Sequence, residues 1–229
     1  MKLWHVVVTI GVALVTLFIG RSKAAAATLS AAMPNDLPEN GDLPAFPRLL
    51  EREKLEPGFI RKLLRIIRET GANGDRLAAL IDEESGWNPQ ARNGIGAAGF
   101  LQWVPKYAVG NTGHTSDEIA HETGIAELDD VKTAILRAPG YKTDPAMQGW
   151  GSHIGEPDDT VIATKPETPG NDAYSLNKIY DKAGKGSITV GDVRNAVYGR
   201  LASLGGKRVK DGGVVVDAGD GFDASKGVG

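Results

Sequence analysis

The pattern of hydrophobic and polar positions divides this chain into unlike parts. From Leu3 to Gly20 the sequence LWHVVVTIGVALVTLFIG is apolar almost without a break, with His5 as its one ionisable residue. A helix over this run, rising ~1.5 Å per residue, just reaches across a ~30 Å hydrocarbon core. Its length and the following Arg21 and Lys23 favour an uncleaved membrane anchor. The small residues Ala24 to Ala27 are the competing signal, a cleavage site. Orientation stays open, because Lys2 and the amino terminus balance Arg21 and Lys23.

The pattern changes to helical periodicity in the body of the chain. Between Glu56 and Glu69, the residues Phe59, Ile60, Leu63, Leu64, Ile66 and Ile67 form one apolar stripe, with Arg61, Lys62, Arg65 and Arg68 mostly outside it. That predicts an amphipathic helix closed by Gly71. A second helix is expected from an Asp75 N-cap through Glu84, with Gly86 as its stop. Thr115 with Glu118 reads as a capping box, and Leu128, Val131, Ile135 and Leu136 predict a helix ahead of Pro139. Thr189 with Asp192 reads as a weaker box ahead of Val193, Val197 and Leu201. Strand signals are sparse. The segment from Ala138 to Asp172, which contains Trp150, has little periodicity and reads as a long irregular excursion.

These patterns predict a mainly α protein with few or no strands, preceded by an apolar N-terminal helix. The expected divisions are a membrane-active segment over 1–23, a flexible linker over 24–48, a helical domain over 49–204 and a Gly-rich tail over 205–229. The linker is dense in Ala, Pro, Asn and Asp, and in the tail only Val214, Val215 and Val216 suggest a strand.

Composition narrows the function classes. A net charge of -3 argues against nucleic acid as a partner, since phosphate binding needs a basic face. Cysteine is absent, which excludes disulfides and thiolate metal sites. His5, His114, His121 and His153 are too scattered in sequence to suggest a metal centre, and no cofactor is expected.

Candidate chemistry converges on Glu84. Leu77, Leu80, Ile81 and Glu84 fall at i, i+3, i+4 and i+7, so the carboxyl shares the apolar face of its helix. Asp82 and Glu83 point elsewhere, towards water. Desolvation and the negative end of the helix dipole both favour a protonated carboxyl, the state required of a general acid. A surface glutamate ending a helix is the plainer alternative, and the following residues decide against it.

Glu84, Ser85, Gly86, Trp87, Asn88, Pro89, Gln90 and Ala91 are followed by the run Gly96 to Pro105, GAAGFLQWVP. This pair resembles the signature of the lytic transglycosylase and goose-type lysozyme superfamily, Glu-Ser-x-aromatic-x-Pro-x-Ala and then Gly-Ala-x-Gly-x-x-Gln-x-x-Pro. The resemblance implies a lysozyme-like helical fold, Glu84 as catalytic acid, and peptidoglycan glycan strands as partner. Ser85 would orient Glu84 or cap the broken helix, and Gln102 would hydrogen-bond substrate. Trp103 is the best placed of the tryptophans to stack on a sugar, although Trp87, Trp103 and Trp150 each have a core reading as well.

A phage-type subset of the same family is similar further along. Gly155 to Asp159, then Tyr174 to Asn177, then the EF-hand-like loop from Asp181 to Asp192 carry that likeness, which implies that Tyr174 and Asn177 face the sugar. The loop departs from the calcium pattern at Ala183 and Lys185, where oxygen ligands belong, so no bound metal is expected. With no second acid of comparable support near Glu84, substrate assistance by a single carboxyl is the expected mechanism. The likeness implies a virion-associated enzyme, and the apolar amino terminus would anchor it in a membrane facing the periplasm or cell wall, with virion or envelope proteins as further partners; a bacterial envelope enzyme is the alternative setting. Hydrolysis of the goose-type kind, or glycan binding without catalysis, are the competing functions.

Overall fold

The computed structural model describes residues 42–138, 140–167, 172–210 and 215–217. The apolar run from Leu3 to Gly20 and most of the expected linker lie outside the described residues. Among those described, no helix is long and apolar enough to cross a membrane.

The body is mainly helical, as the periodicity predicts. Helix α1 (Pro47–Leu55) starts on proline, whose fixed φ and missing N–H suit a first turn. It is followed by α2 (Phe59–Thr70), which ends at Gly71 in the left-handed conformation. The helix expected from Glu56 thus begins only at Phe59, after Pro57 and Gly58. Next come α3 (Gly74–Glu84), α4 (Pro105–Asn111), the short α5 (Ser116–Ile119), α6 (Gly124–Arg137) and α7 (Gly140–Thr143). After a kinked 3-10 segment at Pro145–His153, α8 (Ala173–Asn177) and α9 (Val190–Ser203) complete the helices.

The apolar stripe of α2 packs on α6 through Leu63, Leu64, Leu128, Val131 and Ile135, and α3 packs on α9 beside Val193 and Val197. Both predicted capping boxes form, Thr115 with Glu118 on α5 and Thr189 with Asp192 on α9. Asp75 does not cap α3. Asn73 does, accepting from Arg76 N at 3.0 Å, because the helix begins one residue before Asp75. Asp75 instead binds Arg208.

The tail and linker contribute more than expected. Strand β1 (Asp42–Pro44) pairs antiparallel with β4 (Lys207–Lys210), which pairs in turn with β5 (Val215–Asp217). Val209 is buried between exposed or half-buried neighbours, a period of two too short to stand out in sequence. Arg208 bridges Asp42 and Asp75 at 2.8 Å each, fastening the sheet to α3. This sheet therefore joins residues of the expected linker to residues of the expected tail. The stretch expected as an irregular excursion is likewise structured: β2 (Val161–Thr164) pairs with β3 (Ser187–Thr189), and Asp144 anchors Arg194 and Tyr198 of α9.

Candidate active site

Glu84 is the last residue of α3, and the chain turns sharply after it. Ser85 ends the helix and returns its hydroxyl to Ile81 O at 3.0 Å. Gly86 has φ +58, a left-handed backbone that favours glycine at this turn. Trp87 also holds a positive φ, 65°, an uncommon state for a bulky residue. Its ring is driven into the core against Phe46 and Phe59, and its carbonyl accepts from Arg52 Nε at 3.1 Å. Arg52 in turn pairs with Glu56, whose carboxylate accepts from Gly124 N and Ile125 N at the start of α6. The turn after Glu84 is thus tied through two side chains to a helix distant in sequence.

This geometry leaves Glu84 partly exposed as a residue while enclosing its Oε2 with no hydrogen-bond partner. Burial of that oxygen is the main reason its pKa is raised to about 8, and the adjacent charge of Glu83 adds to the shift. Asp82 and Glu83 are not the solvent-facing acids expected from the helical wheel. Asp82 is buried, and Arg200 of α9 reaches both, at 2.8 and 2.9 Å. The packing of α9 on α3 supplies that arginine, which no local pattern around Glu84 reveals. Two phenols missed in the sequence also feel Glu84. Burial and the Glu84 charge both raise the pKa of Tyr141, and the same two causes act on Tyr180. Neither tyrosine lies in a motif that would have singled it out.

The second motif forms a compact turn beside this helix end. Ala98 and Trp103 exchange backbone hydrogen bonds at 3.2 and 2.7 Å, and Gly99 N donates to Ala91 O at 3.0 Å. Gln102 sits at φ 48° and is only 5% exposed, with Nε2 donating to Ala91 O and Gly99 O. Its amide nitrogen holds the turn, which leaves the amide oxygen as its free group for a ligand. Trp103 is 2% exposed and packs edge-on against Tyr141. The structure buries it rather than presenting a face for stacking, because the turn points the ring inward. Trp87 is core for the same reason, and Trp150 is half-buried.

Tyr174 and Asn177 are both buried on α8. The Tyr174 hydroxyl donates to Asp181 Oδ2 at 2.7 Å, and Asn177 donates to Ala173 O at 3.0 Å. These bonds organise the following loop. Asp181 also accepts from Lys185 N and Gly186 N, and Lys185 Nζ lies 2.7 Å from Asp192 Oδ2. The ammonium stands against the carboxylate that closes the EF-hand-like pattern. Elsewhere, the expected scatter of histidines gives way at one of them: ligand atoms of His114, Glu122 and Asp130 lie within 4.8 Å of one another.

Residues 67–141 match the family model for the transglycosylase SLT domain. The membrane-bound lytic murein transglycosylase F 2 of Alkalilimnicola ehrlichii is 31% identical over 122 residues, covering 53% of this chain and 24% of that protein. The chain therefore spans about a quarter of the length of this curated relative. No solved structure matches. The match contains Glu84, Ser85, Gln102 and Trp103 and stops before Tyr174 and Asn177. The segment similar to the transglycosylase SLT domain is thus the one that carries Glu84 at the end of α3 and the Gln102 turn beside it.

Proposed function

We propose that this protein is a peptidoglycan lytic transglycosylase that cleaves the bond between N-acetylmuramic acid and N-acetylglucosamine with Glu84 as its acid and base. The observation that carries the proposal is the Glu84 carboxyl, half-buried at a helix end with one enclosed oxygen and a pKa raised to about 8. Such a group is protonated at neutral pH and needs little driving force to give up its proton. The SLT domain match and the relative's name support the same chemistry.

In the proposed reaction, Glu84 gives its proton to the glycosidic oxygen as the bond from muramoyl C1 to that oxygen breaks. The substrate's acetamido group supports the cation developing at C1. The Glu84 carboxylate then takes the proton from the muramoyl 6-hydroxyl as O6 bonds to C1, closing a 1,6-anhydro ring. No water is consumed and Glu84 ends protonated, as it began. Among the described residues, Glu83 is the acid whose charge reaches Glu84, and Arg200 already engages it. This supports a one-carboxyl route over the two-carboxyl route of most glycosidases. Gln102 Oε1 and Ser85 are proposed to line the sugar site, with Tyr174 and Asn177 supporting it from α8.

The apolar run from Leu3 to Gly20 extends the proposal to a membrane-seated enzyme facing the cell wall. The phage-type likeness of 155–192 extends it to a virion setting, which capsid or tail genes beside its own would test. The activity is tested by digesting purified sacculi with the wild type and Glu84→Gln and weighing the products. Anhydro ends support the proposal. Reducing ends, heavier by one water, would instead mark a hydrolase, and cleavage undiminished in Glu84→Gln would remove Glu84 from the chemistry.

A further inference from the structure

His114 lies between α4 and α5, Glu122 lies between α5 and α6, and Asp130 occupies the second turn of α6. The fold brings them around one ring nitrogen. His114 Nδ1 is 3.0 Å from Asp130 Oδ1, 3.2 Å from Asp130 Oδ2 and 3.2 Å from Glu122 Oε1. Nitrogen and oxygen ligands held ~2.0–2.2 Å from a tetrahedral zinc ion stand roughly 3.3–3.5 Å apart, so these atoms need only slight expansion to surround one. We propose that His114, Glu122 and Asp130 form a binding site for a divalent ion of the zinc class.

The charge count supports a dication here over a simple ion pair. One imidazolium proton facing two carboxylates leaves the group net negative, and Asp130 is buried. A bound dication neutralises what a single proton leaves.

The donor set also selects the ion. An imidazole among carboxylates suits zinc, whereas magnesium and calcium favour all-oxygen shells. Three protein ligands leave a fourth position for water or for an oxygen of a partner. The ion would link the loops on both sides of α5 to α6, the helix whose Glu127 accepts from Phe100 N in the Gln102 turn.

The test uses the full chain, stripped with a chelator and then melted with zinc, magnesium or calcium chloride, with stoichiometry from titration calorimetry. Zinc is expected to bind at one ion per chain and to raise the melting temperature by about 5 °C at a hundredfold excess over Kd. His114→Ala, at a half-exposed position, should abolish that shift. Glu122→Gln should weaken zinc binding about tenfold or more while melting like the wild type without metal, which keeps the test open should His114→Ala misfold. No zinc shift, a shift surviving both substitutions, or a larger shift with magnesium or calcium would each overturn the proposal.

Discussion

Glu84 and Glu127 are two carboxyls whose pKa values burial pushes to about 8 and about 9, yet only one belongs to a residue that still reaches solvent. Glu84 closes α3, where the helix dipole opposes a negative charge, and its residue still reaches solvent. Glu127 stands in the first turn of α6, with no exposed surface, and accepts from Phe100 N. Its Oε2 and the indole nitrogen of Trp103 are near one another, both enclosed and neither at hydrogen-bond geometry. A raised pKa therefore does not by itself identify a catalytic acid. What separates the two is access: Glu84 still reaches solvent as a residue, whereas Glu127 is sealed under the turn that it supports.

The sharpest way to break this comparison is to neutralise each acid in turn. Glu84→Gln is expected to lower turnover on sacculi by ~10²–10⁴-fold, the usual worth of a positioned general acid, with no loss in melting temperature. Glu127→Gln keeps the acceptor for Phe100 N and should stay within about tenfold of wild type. Equal losses in both would make buried acidity, rather than access, the determining feature.

Gly99 probes the support under the turn. It has φ +82, and a Cβ there would collide with Glu127 Oε1 and crowd Ile119. Gly99→Ala is expected to cost about 2–4 kcal/mol in denaturant melts, from backbone strain plus overlap. In a Glu127→Ala background the added cost of Gly99→Ala should fall by about 1 kcal/mol or more, because the opposing atom is gone. Strict additivity would separate Gly99 from Glu127.

Both acids should also appear in the pH dependence of stability. Each has a folded pKa above its ordinary value of 4.5, so between that value and about 8 or 9 the folded chain holds protons that the unfolded chain has lost. Stability then falls as pH rises through that window. Glu127→Gln should flatten the decline and raise the melting temperature at pH 8 by about 3 °C or more, with Glu84→Gln having a smaller effect because its residue is less buried. A wild-type melting temperature that rises from pH 5 to 8 would contradict both assignments.

Much of the fold and the centre of the site were legible because they rest on local pattern. The stripe of α2, the caps at Thr115 and Thr189, and the inward register of Glu84 each follow from spacings of a few residues. What stayed hidden depends on partners far along the chain. Arg200 is recruited to Asp82 and Glu83 only when α9 packs on α3, and Val209 becomes core only when β4 finds β1. Trp103 beside Gln102 suggested a sugar platform, but the direction of its ring is set by the left-handed backbone at Gln102. Tyr141 and Tyr180 reach the field of Glu84 through tertiary packing alone.

The smallest expected effect tests how finely Glu84 is tuned. Burial is the larger cause of its raised pKa and the Glu83 charge the smaller, so Glu83→Gln removes the second and keeps the first. Without that neighbouring charge the Glu84 anion is easier to form, and its pKa falls while remaining above the ordinary value. The kcat/KM profile reports the free enzyme's acid, so its alkaline limb should move to lower pH by a fraction of a unit. Arg200 keeps Asp82 as a partner in that variant, so the fold should hold. An alkaline limb that moves upward, or one that vanishes, would mean that the titrating acid is not Glu84, whereas the same small shift absent at Glu127→Gln would tie the profile to Glu84 alone.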